Sequence, residues 1–322
     1  MGQDKDKAKI VFFSKGDTKF ISDILNKLTD QFETKLVTVA SAQDYKLMDQ
    51  WMEWSDISWF EWCDDLIAYG SKLGLAGQRK IICRLHSYEA FTYYPSRVNW
   101  CNVDKLIFVS NDMQKYVTEN FKIKKEITAV IPNGVNLVNL TYRQRSPGFK
   151  VAYVGYINYK KGPMLLLHAF KSIYDADNRY RLYIAGIYQD LRYRLYFDQM
   201  LKEFGLENNF FFEGWQADID KWLEDKDYII CSSVLESQNM SVMQAMAKGI
   251  KPVIHNFAGA KGIYPDKYVW NTIGEAVAMV TDMNYTSEEY RAFIENNYTI
   301  DKQIETIKDI LNGLPDSTKV WL

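Results

Sequence analysis

Four cysteines, three histidines and seven prolines in a chain of 322 residues narrow the chemistry before any motif is sought. Cys63, Cys83, Cys101 and Cys231 lack the paired spacing of a zinc site. Each sits in an apolar or aromatic context, so all four read as buried reduced thiols and a disulfide scaffold is excluded. No apolar run approaches the ~20 residues of a membrane span. The 39 basic and 41 acidic residues leave a net charge of −2, and neither half of the chain carries the positive excess that makes nucleic acid a natural partner. The amino terminus, MGQDKDKAK, lacks the apolar core of a signal peptide, and Asp6 stands where a myristoylation signal needs Ser or Thr. The expectation is a cytoplasmic protein without a transmembrane segment, with peripheral membrane contact left open.

What is present is a regular alternation of apolar runs with helical stretches. IVFF at 10–13, KLVTVA at 35–40, DISWF at 56–60, KIICRL at 80–85, KLIFV at 105–109 and ITAVIP at 127–132 read as buried strands. After a polar segment with Pro and Gly at 143–148 the pattern restarts with KVAYVG, RLYIAG, FFFEG, DYIICSS and KPVIHN. Such alternation predicts α/β architecture: two Rossmann-like, doubly wound parallel-sheet domains, 1–148 and 149–322, facing across a cleft where strand ends bind ligands. SEEYRAFIENN and DKQIETIKDILNGL read as amphipathic helices that return toward the first domain.

Four features of the second half share one location, immediately after a strand. In VGYINYKKG, Gly155 and Gly162 bracket a turn and Lys161 precedes a helix, where an ammonium meets a phosphate as a point charge. Gly186 ends RLYIAG. Gly214 ends FFFEG and is followed by Trp215, whose ring suits either a core or the face of a nucleobase. The fourth is the polar loop at 232–238, which strands Glu236 beside the amino terminus of a helix rich in methionine, where free N–H groups favour an anion. In the first half, His86 follows a strand in RLHS, and Gly16 follows one in SKGD. His168, inside an apolar helix, reads as structural. His255 is undecided. Trp51, Trp54, Trp59, Phe60 and Trp62 read mainly as packing, with a sugar-stacking surface as the alternative.

In this order the motifs resemble GT-B glycosyltransferases, specifically retaining family 4, or glycosyl transferases group 1. VGYINYKKG, IAG, FFEGW and SSVLESQNMSVMQAMAKGIKPVI are similar to the carboxyl-terminal domain of that family, and PNGVN at 132–136 to the sequence before its interdomain link. The resemblance implies a hexosyltransferase that moves a sugar from a nucleotide donor, a UDP- or GDP-sugar, to an acceptor hydroxyl with retained configuration, in glycan or glycoconjugate assembly. The acceptor would be a glycan, a lipid-linked saccharide or a protein. It implies no metal and no cofactor besides the donor. Carried over residue by residue, Glu236 holds donor-sugar hydroxyls and His86 lies near the anomeric carbon. Lys161 and the backbone of Asn239, Met240 and Ser241 hold the diphosphate, while Gly16 and Gly155 let backbone approach the donor.

The chain departs from the family at two positions. Gln244 replaces the glutamate that accepts from the ribose, which weakens donor binding by the difference between a charged and a neutral hydrogen bond. Tyr156 replaces the arginine on the diphosphate. Two alternatives follow: a catalytically weakened protein acting as a sugar-binding or partner subunit, or a nucleotide-sugar epimerase or hydrolase. Asp64-Asp65 and Asp175-Ala-Asp177 look like the acidic metal motif of the other large glycosyltransferase fold, but the first runs into a helical pattern and the second ends one.

Overall fold

Each of the six apolar runs in the first half forms a strand: β1 (Lys9–Ser14), β2 (Glu33–Thr38), β3 (Ile57–Phe60), β4 (Lys80–Leu85), β5 (Lys105–Phe108) and β6 (Thr128–Val130). In the computed structural model, which describes residues 7–314, these pair in the order β2-β1-β3-β4-β5-β6, and every pairing is parallel. The expectation drawn at Asp6 lies outside the described residues. Parallel sheets are covered on both faces, which is why their strands read as continuous apolar runs instead of alternating ones. On one face Ile10, Phe12, Ile57, Trp59, Ile82 and Ile107 meet Ile304, Ile307 and Leu311 of the helix Ile300–Asn312. Burying each such side chain contributes about 1.5–3 kcal/mol against leaving it in water.

The second half contributes β7 (Lys150–Val154), β8 (Arg181–Ala185), β9 (Phe210–Gly214), β10 (Tyr228–Cys231), β11 (Lys251–His255) and a two-residue β12 (Val269–Trp270), ordered β12-β11-β10-β7-β8-β9 and again all parallel. Two Rossmann-like parallel sheets with flanking helices are therefore the fold, as the alternating pattern predicts. β12 was not anticipated, because two residues carry no periodicity.

The chain forms two compact units, residues 1–133 with 300–322, and residues 134–299. Just past the division, the Val135 N–H donates to the Tyr298 carbonyl at 2.7 Å, so the segment after Asn133 pairs with the end of its own unit. The helix Ser287–Asn297 buries Tyr290 and Ile294 in the core of the second unit, whereas the helix Ile300–Asn312 packs on Ser22–Leu28 in the first. One expectation about the cysteines needs correction. Cys63, Cys83 and Cys231 are buried free thiols, but Cys101 is exposed on the short turn Trp100–Asn102 that precedes β5.

Candidate active site

In the second unit the carboxyl ends of β7 and β10 carry the two loops that the sequence singles out. After β10 the chain turns through 232–238 into the helix Met240–Ala247, which Asn239 caps by accepting the Val242 N–H at 3.4 Å. The cap is itself held, since its side-chain amide donates to Cys231 Sγ at 3.2 Å and its carbonyl accepts the Tyr264 hydroxyl at 3.2 Å. After β7 the turn Tyr159–Lys161 leads into the helix Pro163–Ala176.

These loops are joined at the backbone. The Val234 N–H donates to the Lys160 carbonyl at 2.8 Å, and Ser232 Oγ donates to the Lys161 carbonyl at 2.8 Å. Gly162 adopts φ +59°, and a Cβ there would be driven into the Ser232 carbonyl oxygen. Only glycine satisfies both the left-handed backbone and this approach. Gly186, at the end of β8, has the same relation to the Gly155 carbonyl.

The joined loops bring together two residues 75 positions apart: Lys161 Nζ forms an ion pair with the Glu236 carboxylate, their side chains 14% and 8% exposed. Ser233 Oγ donates to the same carboxylate oxygen at 2.8 Å, and the Ser233 carbonyl meets His255 Nδ1 at 2.8 Å. Burial works to lower the Lys161 pKa, but the Glu236 carboxylate outweighs it, so the ammonium is held above its ordinary value. Burial also pushes the Cys231 thiol beneath the loop upward, which keeps it protonated and inert. Ser241 and Gln244 are half-buried on the helix, and Met240 opens it. The ring of Tyr156 stacks on Trp215 with centroids 5.8 Å apart and planes at 28°, and Trp215 is 55% exposed. Thus Gly155, Tyr156, Lys161, Trp215, Glu236, Asn239, Met240, Ser241 and Gln244 all lie in this one unit, on the loops and helix that follow β7, β9 and β10.

His86 and Gly16 belong to the first unit. Gly16, at φ +111°, follows β1 and is exposed. His86 is buried after β4, its ring against those of Phe20 and Trp62 and its Nε2 at 2.9 Å from the Glu61 carboxylate. Sequence reasoning missed Glu61 and Arg84, which stand at or just beyond strand ends, and Glu89 in the turn Tyr88–Phe91 that follows β4. His168 is exposed and reaches the Tyr196 hydroxyl at 3.4 Å.

The acidic pairs have local work. Asp64 accepts the Leu66 N–H at 2.9 Å as a helix cap, its pKa pushed up to about 7 by burial, and Asp65 pairs with Lys15. Asp175 pairs with Lys171, and Asp177 with Arg179. Among the described residues no group of three His, Cys, Asp or Glu is placed to hold a metal ion, and no helix is long and apolar enough to cross a membrane.

Two units, each with a six-stranded parallel sheet and flanking helices, match the GT-B class of fold. Residues 142–299, most of the second unit, match the family model described as glycosyl transferases group 1. No curated protein matches the chain in sequence. Among solved structures, HepE of Anabaena in complex with UDP is similar over 96% of this chain and 100% of its own, with a TM-score of 0.79 and 17% identity. The sucrose-phosphate synthase of Thermosynechococcus elongatus gives a TM-score of 0.76 at 12% identity, covering 96% of this chain and 99% of that one. A lipopolysaccharide outer core galactosyltransferase in its apo form gives 0.70 at 14%, covering 94% and 99%. At these identities the likeness establishes the fold.

Proposed function

We propose that the protein is a retaining, metal-independent glycosyltransferase that moves a hexosyl group from a nucleotide sugar, UDP-linked in the first instance, to an acceptor hydroxyl in cytoplasmic glycan or glycoconjugate assembly. The observation that carries this reading is the Lys161–Glu236 pair, which puts one cation and one acceptor within reach of a single small molecule beside a helix amino terminus. Lys161 and the backbone N–H groups of Met240 and Ser241 neutralise the diphosphate and stabilise it as it departs. Glu236 accepts hydroxyls of the sugar, Gln244 accepts from the ribose, and Trp215 with Tyr156 stacks on the base. HepE, the Anabaena relative, is seen with UDP and with UDP-glucose, which favours that donor class.

In the reaction the bond between the anomeric carbon and the phosphate oxygen breaks and one to the acceptor oxygen forms on the same face. The acceptor proton passes to the departing phosphate. No second carboxylate is required, unlike glycoside hydrolysis. His86 and Gly16 enter this reading through the family resemblance.

Isothermal titration of the purified chain with UDP, GDP and ADP at low salt tests the donor site. Saturable binding of one of them is expected, with a thermal shift worth ~2.7 kcal/mol at 100 times its dissociation constant. Glu236→Ala should abolish transfer while keeping nucleotide binding. Binding of none of the three would overturn the proposal. Tyr156 and Gln244 favour one alternative, a weakened sugar-binding subunit, and product formation by the purified chain eliminates it.

A further inference from the structure

Among the described residues the first unit exposes five large apolar side chains, and four of them, Tyr88, Phe91, Tyr93 and Tyr116, are aromatic. Each is between 37% and 55% exposed. Single apolar residues at a surface need no explanation, whereas a cluster of flat rings marks a binding face. The tryptophans that read as an alternative sugar surface lie mostly elsewhere: Trp59 and Phe60 are buried in the sheet, and Lys35 and Lys9 lie over the rings of Trp51 and Trp54. Trp62 does reach the cluster, its ring 5.5 Å from that of Tyr88.

A rigid frame holds these rings out. Tyr88–Phe91 and Tyr94–Arg97 are consecutive short turns, and the helix Asn111–Phe121 packs against both. On their inner side Glu89, Ala90, Pro95 and Val98 are buried, and the Glu89 carboxylate accepts the N–H groups of His86 and Ser87 at 3.2 and 3.1 Å. Thr92 Oγ1 donates to the Glu89 carbonyl at 2.8 Å and Ser96 Oγ to the Tyr93 carbonyl at 2.7 Å, which fixes the link between the turns. Phe91 meets Tyr116 of the helix with ring centroids 4.9 Å apart and planes at 34°. In a turn of this tight kind side chains three residues apart are eclipsed and about 6 Å apart along the axis, so Tyr88 and Phe91 stand in a row. That spacing is close to the length of one sugar unit. Rings ordered in advance also lose little freedom on binding.

Charge decides which ligand such a face fits. The exposed charges on the two turns and the helix are Arg97 and Lys115 against Asp112 and Glu119, and they cancel. An anionic membrane or a nucleic acid needs a surplus of cations, and a lipid surface also needs aliphatic side chains that insert. These elements supply neither. A neutral saccharide needs what they do supply: flat rings for its C–H face, and polar groups at the rim for its hydroxyls. The Arg97 guanidinium lies 4.2 Å over the Tyr93 ring and is in no ion pair among the described residues, so its N–H groups remain as donors. Asp112 and Glu119 neighbour Tyr116 on the helix surface and supply acceptors.

We propose that Tyr88, Phe91, Tyr93 and Tyr116 form a platform on the first unit that binds a neutral oligosaccharide chain, with Arg97, Asp112 and Glu119 bonding its hydroxyls. The platform is complete within that unit and does not rest on the transferase reading.

Isothermal titration of the full chain with maltohexaose, cellohexaose and N-acetylchitohexaose, each compared with its disaccharide, tests this. At least one hexasaccharide should bind, and more tightly than its disaccharide, because only the longer chain spans several rings. Phe91→Ala and Tyr93→Ala should each weaken that binding about two- to tenfold, the worth of one aromatic contact, while affinity for UDP stays unchanged. Phe91→Leu keeps the apolar bulk without the flat ring and should weaken it equally; should the alanine variants fail to fold, this one decides. Binding of no hexasaccharide at millimolar concentration, or equal affinity in the folded variants, overturns the proposal. Flotation with vesicles of phosphatidylcholine and phosphatidylglycerol, or dimerisation in sedimentation, that the Phe91→Ala/Tyr93→Ala protein loses would overturn it too, since the rings would then serve a membrane or a second copy. Oligosaccharide binding by a chain that transfers no sugar upholds the platform and tells against the transferase reading.

Discussion

Replacing Lys161 by methionine removes the ammonium while keeping most of the stem, so the Glu236 carboxylate is stranded with Ser233 Oγ as its neighbour. Removing one member of a buried ion pair costs about 3–5 kcal/mol, because the other charge stays desolvated. The Ser233 hydroxyl and the helix amino terminus continue to support the anion, and neither side chain of the pair is wholly buried, which brings the expected cost to about 2–3 kcal/mol. For a unit of this size that corresponds to a fall of roughly 5–10 °C in the melting temperature. The double variant Lys161→Met/Glu236→Gln should recover at least half of the loss, since no charge is left behind. The pH dependence has a fixed sign. A lysine whose folded pKa lies above its ordinary value of 10.5 stabilises the fold fully at neutral pH and loses that contribution as pH rises past 10.5 and through the folded value. The gap between wild type and variant should therefore be flat around neutrality and close in strong alkali. Urea melts and calorimetry across pH check these numbers. A single variant that melts within about 1 °C of wild type, or a double variant no more stable than the single, would refute the argument from desolvation.

Gly162→Ala imposes about 1–2 kcal/mol of left-handed strain and drives a methyl group into the Ser232 carbonyl oxygen, so denaturant melts should show a loss of at least about 2 kcal/mol together with weaker nucleotide binding; an unchanged midpoint would contradict the close approach. Trp215→Ala removes a half-exposed ring, and stability should change by less than about 1 kcal/mol while nucleotide affinity falls by ~1–3 kcal/mol in titration. Equal affinity would remove Trp215 from the base site. Gln244→Glu supplies a charged acceptor in place of a neutral one, so donor binding should be kept or strengthened, and complete loss would contradict a contact with ribose.

The central strand runs were legible because a parallel strand inside the sheet is buried on both faces, KIICRL at β4 being an example bounded as read, whereas the edge strands β2, β6 and β9 are partly exposed and were read from their place in the alternation. Where contacts between distant residues decide, the sequence is silent. Trp100 and Cys101 look like core residues in sequence, yet Cys101 is exposed, on the turn 100–102 near the end of the connection from β4 to β5. Beside the division after Asn133, Val135 pairs with Tyr298, and no local composition marks a pairing across that span.

The two halves of the candidate chemistry differed in legibility for the same reason. Lys161 and Glu236 stand in loops whose glycines and polar residues are conspicuous, so their types and approximate places were readable although their contact was not. Glu61 and Arg84 are embedded in WFEWC and IICRL, where surrounding apolar residues make a charge look incidental. Their meaning arises only when β3 and β4 lie side by side, with Trp59 beside Ile82 and Phe60 beside Cys83 in the parallel register. That register carries Glu61, the next residue along, toward the Arg84–His86 end of its neighbour. Charges at the ends of adjacent parallel strands must be close, and burial then allows them to persist only as a bonded set. A buried carboxylate one residue past a strand is thus informative in combination with a cation at the end of the neighbouring strand. The pairing order of the strands, which the chain alone does not reveal, is what turns Glu61 from an anomaly of composition into the residue that orients His86.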